Sequence, residues 1–180
     1  KKRIIPTLLF NNNKLVKGIK FNSWRTVGSI MQAVRVYKIR KVDELILLDI
    51  SSTDLNRDID LELIHEVAKE CFMPLTFGGG IKNLDDISKI LKAGADKVCI
   101  NTSATKDLKF IENACKVFGS QAIVISVDYK TNKDSLISIW SNSGKKKTNL
   151  KFRNYLKDLE SIGVGEIILT SIDRDGTMKG

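Results

Sequence analysis

With 180 residues, 42% of them apolar and 28% charged, the chain has the composition of an ordinary globular protein, long enough for one domain with a substantial core or for part of a larger one. Thirty Lys and Arg against twenty-one Asp and Glu leave a net charge of +9, which reads first as a solvated, Lys-rich helix surface and second as an attraction for phosphorylated metabolites or nucleic acid. Three cysteines far apart (Cys71, Cys99, Cys115) exclude a disulfide framework and a CxxC metal site, and a single histidine, His65, excludes a Ser-His-Asp relay or a His-rich metal centre.

The basic start Lys1-Lys2-Arg3 and the apolar run behind it imitate a signal peptide only superficially. Pro6 interrupts the run, which ends at Phe10 before three asparagines, with no small-residue cleavage site. No stretch approaches transmembrane length, so a cytoplasmic location without a membrane partner is expected. Residues 4–10 are predicted as the first strand and 15–20 as its extended continuation after an Asn-rich turn. Residues 30–40 read as a helix with Ile30, Ala33, Val34 and Tyr37 on one face. Residues 44–50 (ELILLDI) form a continuous apolar strand, as expected when both faces are covered. Residues 59–71 read as a helix with Leu63, Ile64, Val67 and Ala68 inward.

Leu75-Thr76-Phe77-Gly78-Gly79-Gly80-Ile81-Lys82-Asn83 is a short apolar strand running through three glycines into a helix. Asn83 is its N-cap, Asp85 and Asp86 lie in the first turn, Leu84, Ile87, Ile90 and Leu91 form the stripe, and Gly94 stops it. The glycines allow either a tight turn or the close approach of an anion to backbone amides, and a phosphate would sit well here. Further strands are expected at 97–101, 122–129 and 166–172, and helices at 107–118, opened by Asp107, and 152–162. A small hairpin is expected around 135–140 with its turn at Gly144, and a loop at 173–180.

Strand and helix signals alternate almost without a break, which predicts parallel βα units. Residues 42–50 agree with 164–172 at five of nine positions, and 4–10 echo 123–129, so strands one and two repeat as five and six. The expected fold is an α/β (β/α)8 TIM barrel built from two half-barrels. Residues 1–180 would form a single, incomplete domain of about six units, with the first half-barrel over about 1–119 and the start of the second over about 120–180.

Barrels of this kind keep their active sites at the carboxyl ends of the strands. The residues there are Leu9, Asp49, Gly78 to Gly80, Asn101, Thr102, Asp128 and 171–177. The set is polar and lacks an aromatic platform, so it suits a phosphorylated small molecule better than single-stranded nucleic acid. Asp128, ending an apolar strand, is the candidate general acid–base, since partial burial would raise its pKa toward the working range. A structural carboxylate bonded to loop amides is the alternative.

Arg3-Ile4-Ile5-Pro6, Leu15-Val16-Lys17-Gly18, Asp43-Glu44-Leu45 with Leu48-Asp49-Ile50, Phe77 to Ile81, Gly94-Ala95-Asp96-Lys97-Val98, Ile100-Asn101-Thr102, Phe118-Gly119-Ser120-Gln121 and Leu169 to Thr177 follow in one order. With them the chain resembles the cyclase subunit of imidazole glycerol phosphate synthase over essentially its whole length. The resemblance implies a cyclase/lyase-type subunit with no cofactor or metal, paired with a glutamine amidotransferase. Ammonia from that partner would cross the barrel and attack a phosphoribulosyl-formimino aminoimidazole carboxamide ribotide, yielding imidazole glycerol phosphate and aminoimidazole ribotide. It also implies a charged ammonia gate of Arg3, Glu44, Lys97 and Glu166, in which two cations and two anions hold one another. Lys17, Gly80, Asn101, Thr102, Asp175 and Gly176 would bind substrate and phosphate, and Asp96 would lie at the partner interface.

The family's acid–base pair falls on Leu9 and Asp128. Leucine has no proton to give, and loss of a positioned acid or base costs roughly 10²–10⁴ in rate. The strand-one sequence RIIPTLL also resembles a branch that accompanies sugar amidotransferases in surface-polysaccharide biosynthesis. Three readings therefore stand: a divergent homologue with impaired cyclase activity serving sugar amidation, a histidine-biosynthesis cyclase that tolerates Leu9, and a non-catalytic subunit that activates a glutaminase.

Overall fold

The computed structural model describes residues 2–52, 57–132 and 134–179. In chain order the elements are β1 (Thr7–Asn11), β2 (Lys14–Ile19), β3 (Asn22–Ser29), α1 (Ile30–Ile39), β4 (Leu45–Asp49), α2 (Leu61–Glu70), β5 (Leu75–Gly78) and α3 (Leu84–Lys92). They continue with β6 (Lys97–Ile100), α4 (Thr102–Lys106), α5 (Leu108–Phe118), β7 (Ile123–Thr131), β8 (Ile137–Ser141), β9 (Lys146–Lys151), α6 (Phe152–Ile162) and β10 (Glu166–Ser171). Two compact units result, one of Lys1–Lys17 with Arg25–Cys99 and one of Gly18–Trp24 with Ile100–Gly180. That division rests on contacts in space, whereas the half-barrel boundary near residue 119 rests on sequence repetition.

In the first unit β1, β4, β5 and β6 are joined in parallel, in that order. β2 returns antiparallel along β1, pairing Leu9 with Val16. The return needs left-handed backbone at Asn12 (φ 47) and Asn13 (φ 58), a conformation asparagine tolerates better than most residues. The predicted continuation of strand one is therefore a hairpin, and β3, which the sequence pattern did not announce, follows it. Strand one itself begins at Thr7. Phe10, Leu45, Leu47, Ile64, Leu75, Phe77, Ile87 and Ile90 are buried in this unit, with the Phe10 and Phe77 rings 6.2 Å apart. On α1 only Ile30 and Val34 are fully buried; Ala33 and Tyr37 are half-buried. The helix after the glycines starts as the sequence requires, with a capping box in which Asn83 accepts from Asp86 N and Asp86 accepts from Asn83 N.

In the second unit β7 is parallel to β10 and antiparallel to β8, which pairs with β9. The expected hairpin thus lies slightly later, at β8 and β9, with its turn through Asn142, Ser143 and Gly144, all at positive φ. Asp107 caps α5 by accepting from Lys109 N and Phe110 N, and Gly163 in left-handed conformation closes α6. The short α4 was not legible. Ile111, Ile123, Val124, Ile125, Tyr155 and Leu159 form the core of this unit. Cys71, Cys99 and Cys115 are free thiols, His65 is exposed, and no helix among the described residues is long and apolar enough to cross a membrane.

Candidate functional site

Strand alternation puts Ser126 and Asp128 on one face of β7, both buried. Ser126 Oγ donates to Asp128 Oδ1 at 3.3 Å, and Asn101, just past the end of β6, donates through Nδ2 to Asp128 Oδ2 at 3.0 Å and to the Ser126 carbonyl at 2.9 Å. Burial pushes the Asp128 pKa up to about 7; the Ser126 hydroxyl pulls it down, the Asp175 carboxylate adds to the rise, and Asn101 pulls it down. A carboxyl poised there can accept or return a proton at neutral pH.

The other strand-end residues of this unit are committed to holding loops. Thr102 Oγ1 accepts from Asn142 N at 3.1 Å. The Asp175 carbonyl accepts from Lys20 N at 2.9 Å, its carboxylate accepts from the Phe21 amide, and burial raises its pKa. Gly176 (φ 67) backs onto the Gly18 carbonyl with no room for a Cβ. A cleft of about 530 Å³ is lined by Tyr129, Thr131, Leu169, Thr170, Ser171, Arg174 and Asp175. Register pairs Thr170 with Asp128 and Ser171 with Tyr129, so the Tyr129 and Ser171 side chains lie on the strand face opposite Asp128. The cleft therefore opens mainly away from the carboxylate.

In the first unit Leu9 sits half-buried on β1 beside Val16 and Leu48, offering hydrocarbon only. Asp49 is buried and fully engaged: Oδ1 accepts from Ser51 N, Ser51 Oγ and Ser52 N, and Oδ2 accepts from Arg57 Nη2 at 2.8 Å. Gly79 and Gly80 have positive φ; a Cβ on Gly80 would lie 3.0 Å from the Ser52 hydroxyl oxygen. The N–H groups of Lys82, Asn83 and Asp86 at the start of α3 are used by its capping box. Lys17 is exposed on β2.

At the strand starts Glu44, 6% exposed, accepts from Arg3 Nη1 and, at 2.7 Å, from Lys97 Nζ. Three of the four predicted gate residues are thus joined. Glu166 opens β10 in the second unit. Asp96 Oδ2 accepts from Leu75 N at 2.8 Å, tying the start of β5. Sequence reasoning missed Ser126 and Arg57. Ser126 lies two residues before Asp128, and strand alternation was the signal that could have found it. Nothing local marks Arg57 as the partner of Asp49. Among the described residues no His, Cys, Asp and Glu group could hold a metal ion.

Parallel strands linked through helices, with a buried carboxyl at a strand end and an ion cluster at the strand starts, fit an α/β fold of the (β/α)8-barrel class. Residues 3–180 match the family model described as histidine biosynthesis protein, and the chain belongs to that family. It is 47% identical to a protein of Campylobacter jejuni provisionally named imidazole glycerol phosphate synthase subunit hisF2, over all of this chain and 71% of the relative. A protein of the same provisional name from Pseudomonas aeruginosa is 44% identical over all of the chain and 72% of its own length. Imidazole glycerol phosphate synthase subunit HisF of Hydrogenobaculum is 44% identical over 99% of the chain and 71% of its own length.

Proposed function

We propose that the chain is a cyclase-type subunit related to that of imidazole glycerol phosphate synthase, receiving ammonia from a glutamine amidotransferase partner, and that its own cyclisation is impaired. The observation that carries this is the asymmetry of the two acid–base positions. Asp128 is buried and poised near neutrality, while Leu9 offers only methyl groups. One proton-transfer group remains where the reaction uses two. The Arg3–Glu44–Lys97 cluster supports ammonia handling at the strand starts, with Glu166 as the fourth charge assigned to the gate and Asp96 as a partner contact. The glycine loop in the first unit, with Lys17, and the strand ends of the second, with Thr102, Asp175 and Gly176, are the regions assigned to a phosphorylated substrate. Sugar amidation in surface-polysaccharide synthesis is the destination that fits a lost cyclisation. The hisF2 designation of two relatives agrees with a lineage apart from HisF.

The second reading, an active histidine-biosynthesis cyclase, is favoured by the 44% identity to the Hydrogenobaculum HisF, equal to that of the Pseudomonas hisF2 protein. Turnover of the ribotide with added ammonia decides between them. The protein is expected to show negligible cyclisation, and near-normal turnover would establish the second reading. Leu9→Asp is expected to raise a residual cyclisation by roughly 10²-fold or more if only the acid is missing.

A further inference from the structure

We propose that Asn101 is a positioning residue for Asp128 and not a side-chain ligand of phosphate. A carboxamide has two N–H donors and one carbonyl acceptor. Both Asn101 donors are spent, one on the Ser126 carbonyl at 2.9 Å and one on Asp128 Oδ2 at 3.0 Å. The Ser126 carbonyl can only accept, so a flipped Asn101 would set its own oxygen against both that carbonyl and the carboxylate. The orientation is therefore fixed by chemistry.

The remaining acceptor, Asn101 Oδ1, faces Thr102 Oγ1 at 3.4 Å, a long contact. That hydroxyl already receives Asn142 N at 3.1 Å, which leaves its own O–H to point at Asn101. Donors thus run one way, from the hairpin turn at Asn142 through Thr102 and Asn101 to Asp128. No side-chain N–H of Asn101 is left over for an anion. Its effect falls on the carboxylate instead, because a donor aimed at Oδ2 favours the ionised form. Ser126 Oγ acts in the same sense on Oδ1, and Asp175, on the loop after β10, is the charged group that opposes them. Asn101 orients Asp128 at Oδ2 and adds to what lowers the pH at which its lone pairs become free.

This inference builds on the reading of Asp128 as the proton-handling group, but its test needs no turnover, so a failed cyclase assay leaves it standing. The protein labelled with ¹³C at aspartate carboxyl carbons is titrated by NMR alongside Asn101→Ala and Thr102→Val. The Asp128 midpoint is expected to move upward by about one pH unit in Asn101→Ala and by less, in the same direction, in Thr102→Val. Binding of inorganic phosphate, read by calorimetry, is expected to change by no more than about threefold in Asn101→Ala. An unmoved or lowered midpoint in Asn101→Ala overturns the positioning role, and a loss of phosphate affinity of about tenfold or more restores the ligand role. Should Asn101→Ala not fold, the midpoint in Thr102→Val, which leaves Asn101 in place, decides in its stead: an upward move supports the inference and no move overturns it.

Discussion

Glu44 and Asp128 are buried to almost the same degree, 6% and 7% exposed, yet they are built for different tasks. Glu44, at a strand start, is clasped by Arg3 and Lys97. Asp128, at a strand end, has only neutral donors, Ser126 and Asn101, with Asp175 pressing on it from the loop beyond β10. Asp49 belongs with Glu44: it is equally buried and has Arg57 at 2.8 Å. Burial alone does not make a carboxyl functional. What separates these carboxylates is whether a cation is delivered with them: Glu44 and Asp49 are ion-paired, and Asp128 is held by the neutral donors Ser126 and Asn101.

The largest way to sharpen that contrast is to remove the charge of Asp128. Its folded pKa of about 7 lies above the ordinary value of 3.8, so the native state holds the proton more firmly than the unfolded chain. Stability therefore falls as pH rises from about 4 to about 7, by up to roughly 4 kcal/mol. Asp128→Asn, which stays neutral, is expected to exceed the wild type by up to that amount at pH 8 and to lose the advantage near pH 4, as read from urea midpoints. Glu44→Gln does the opposite. It removes the anion that Arg3 and Lys97 both bond, and is expected to cost about 3 kcal/mol at neutral pH by urea unfolding.

Smaller effects test the edges of the comparison. Arg57→Leu leaves Asp49 with its Ser51 and Ser52 donors, and a loss of about 1–2 kcal/mol is expected in the same urea assay. Arg3→Ala removes the more exposed of the two cations on Glu44, with its side chain 52% exposed, and should lower the midpoint by less than about 1 kcal/mol. A larger loss would mean that Arg3, and not Lys97, chiefly holds the cluster.

What the sequence made legible is what local rules govern. The Asn83 cap, the apolar stripe behind it and the glycine turn follow from spacing within a dozen residues, and each stands in the structure. Asp128 was visible as a carboxylate ending an apolar run. The pairing of Arg3, Glu44 and Lys97 followed from a family resemblance, since nothing local links positions so far apart. Other features were hidden because they depend on which distant groups meet. Asn101 meets Asp128 across 27 residues, and its donors are allotted by the carbonyl of Ser126, which no pattern displays. The Asn-rich turn before β2 was visible, but not the antiparallel return, which depends on left-handed backbone at Asn12 and Asn13 and on pairing with β1. Asp175 and Gly176 could be placed at a strand end, but not seen to grip the segment at Gly18 and Lys20.

The central claim is that Asp128, buried at a strand end beside Ser126 and Asn101, carries a movable proton at neutral pH. A ¹³C NMR titration of the aspartate carboxyl carbons in the unmodified protein tests it most directly, with Asp128→Asn assigning the resonance. The account predicts that the Asp128 signal moves with a midpoint of about 7. An Asp128 midpoint near 4 would contradict it and leave the strand end without a proton carrier.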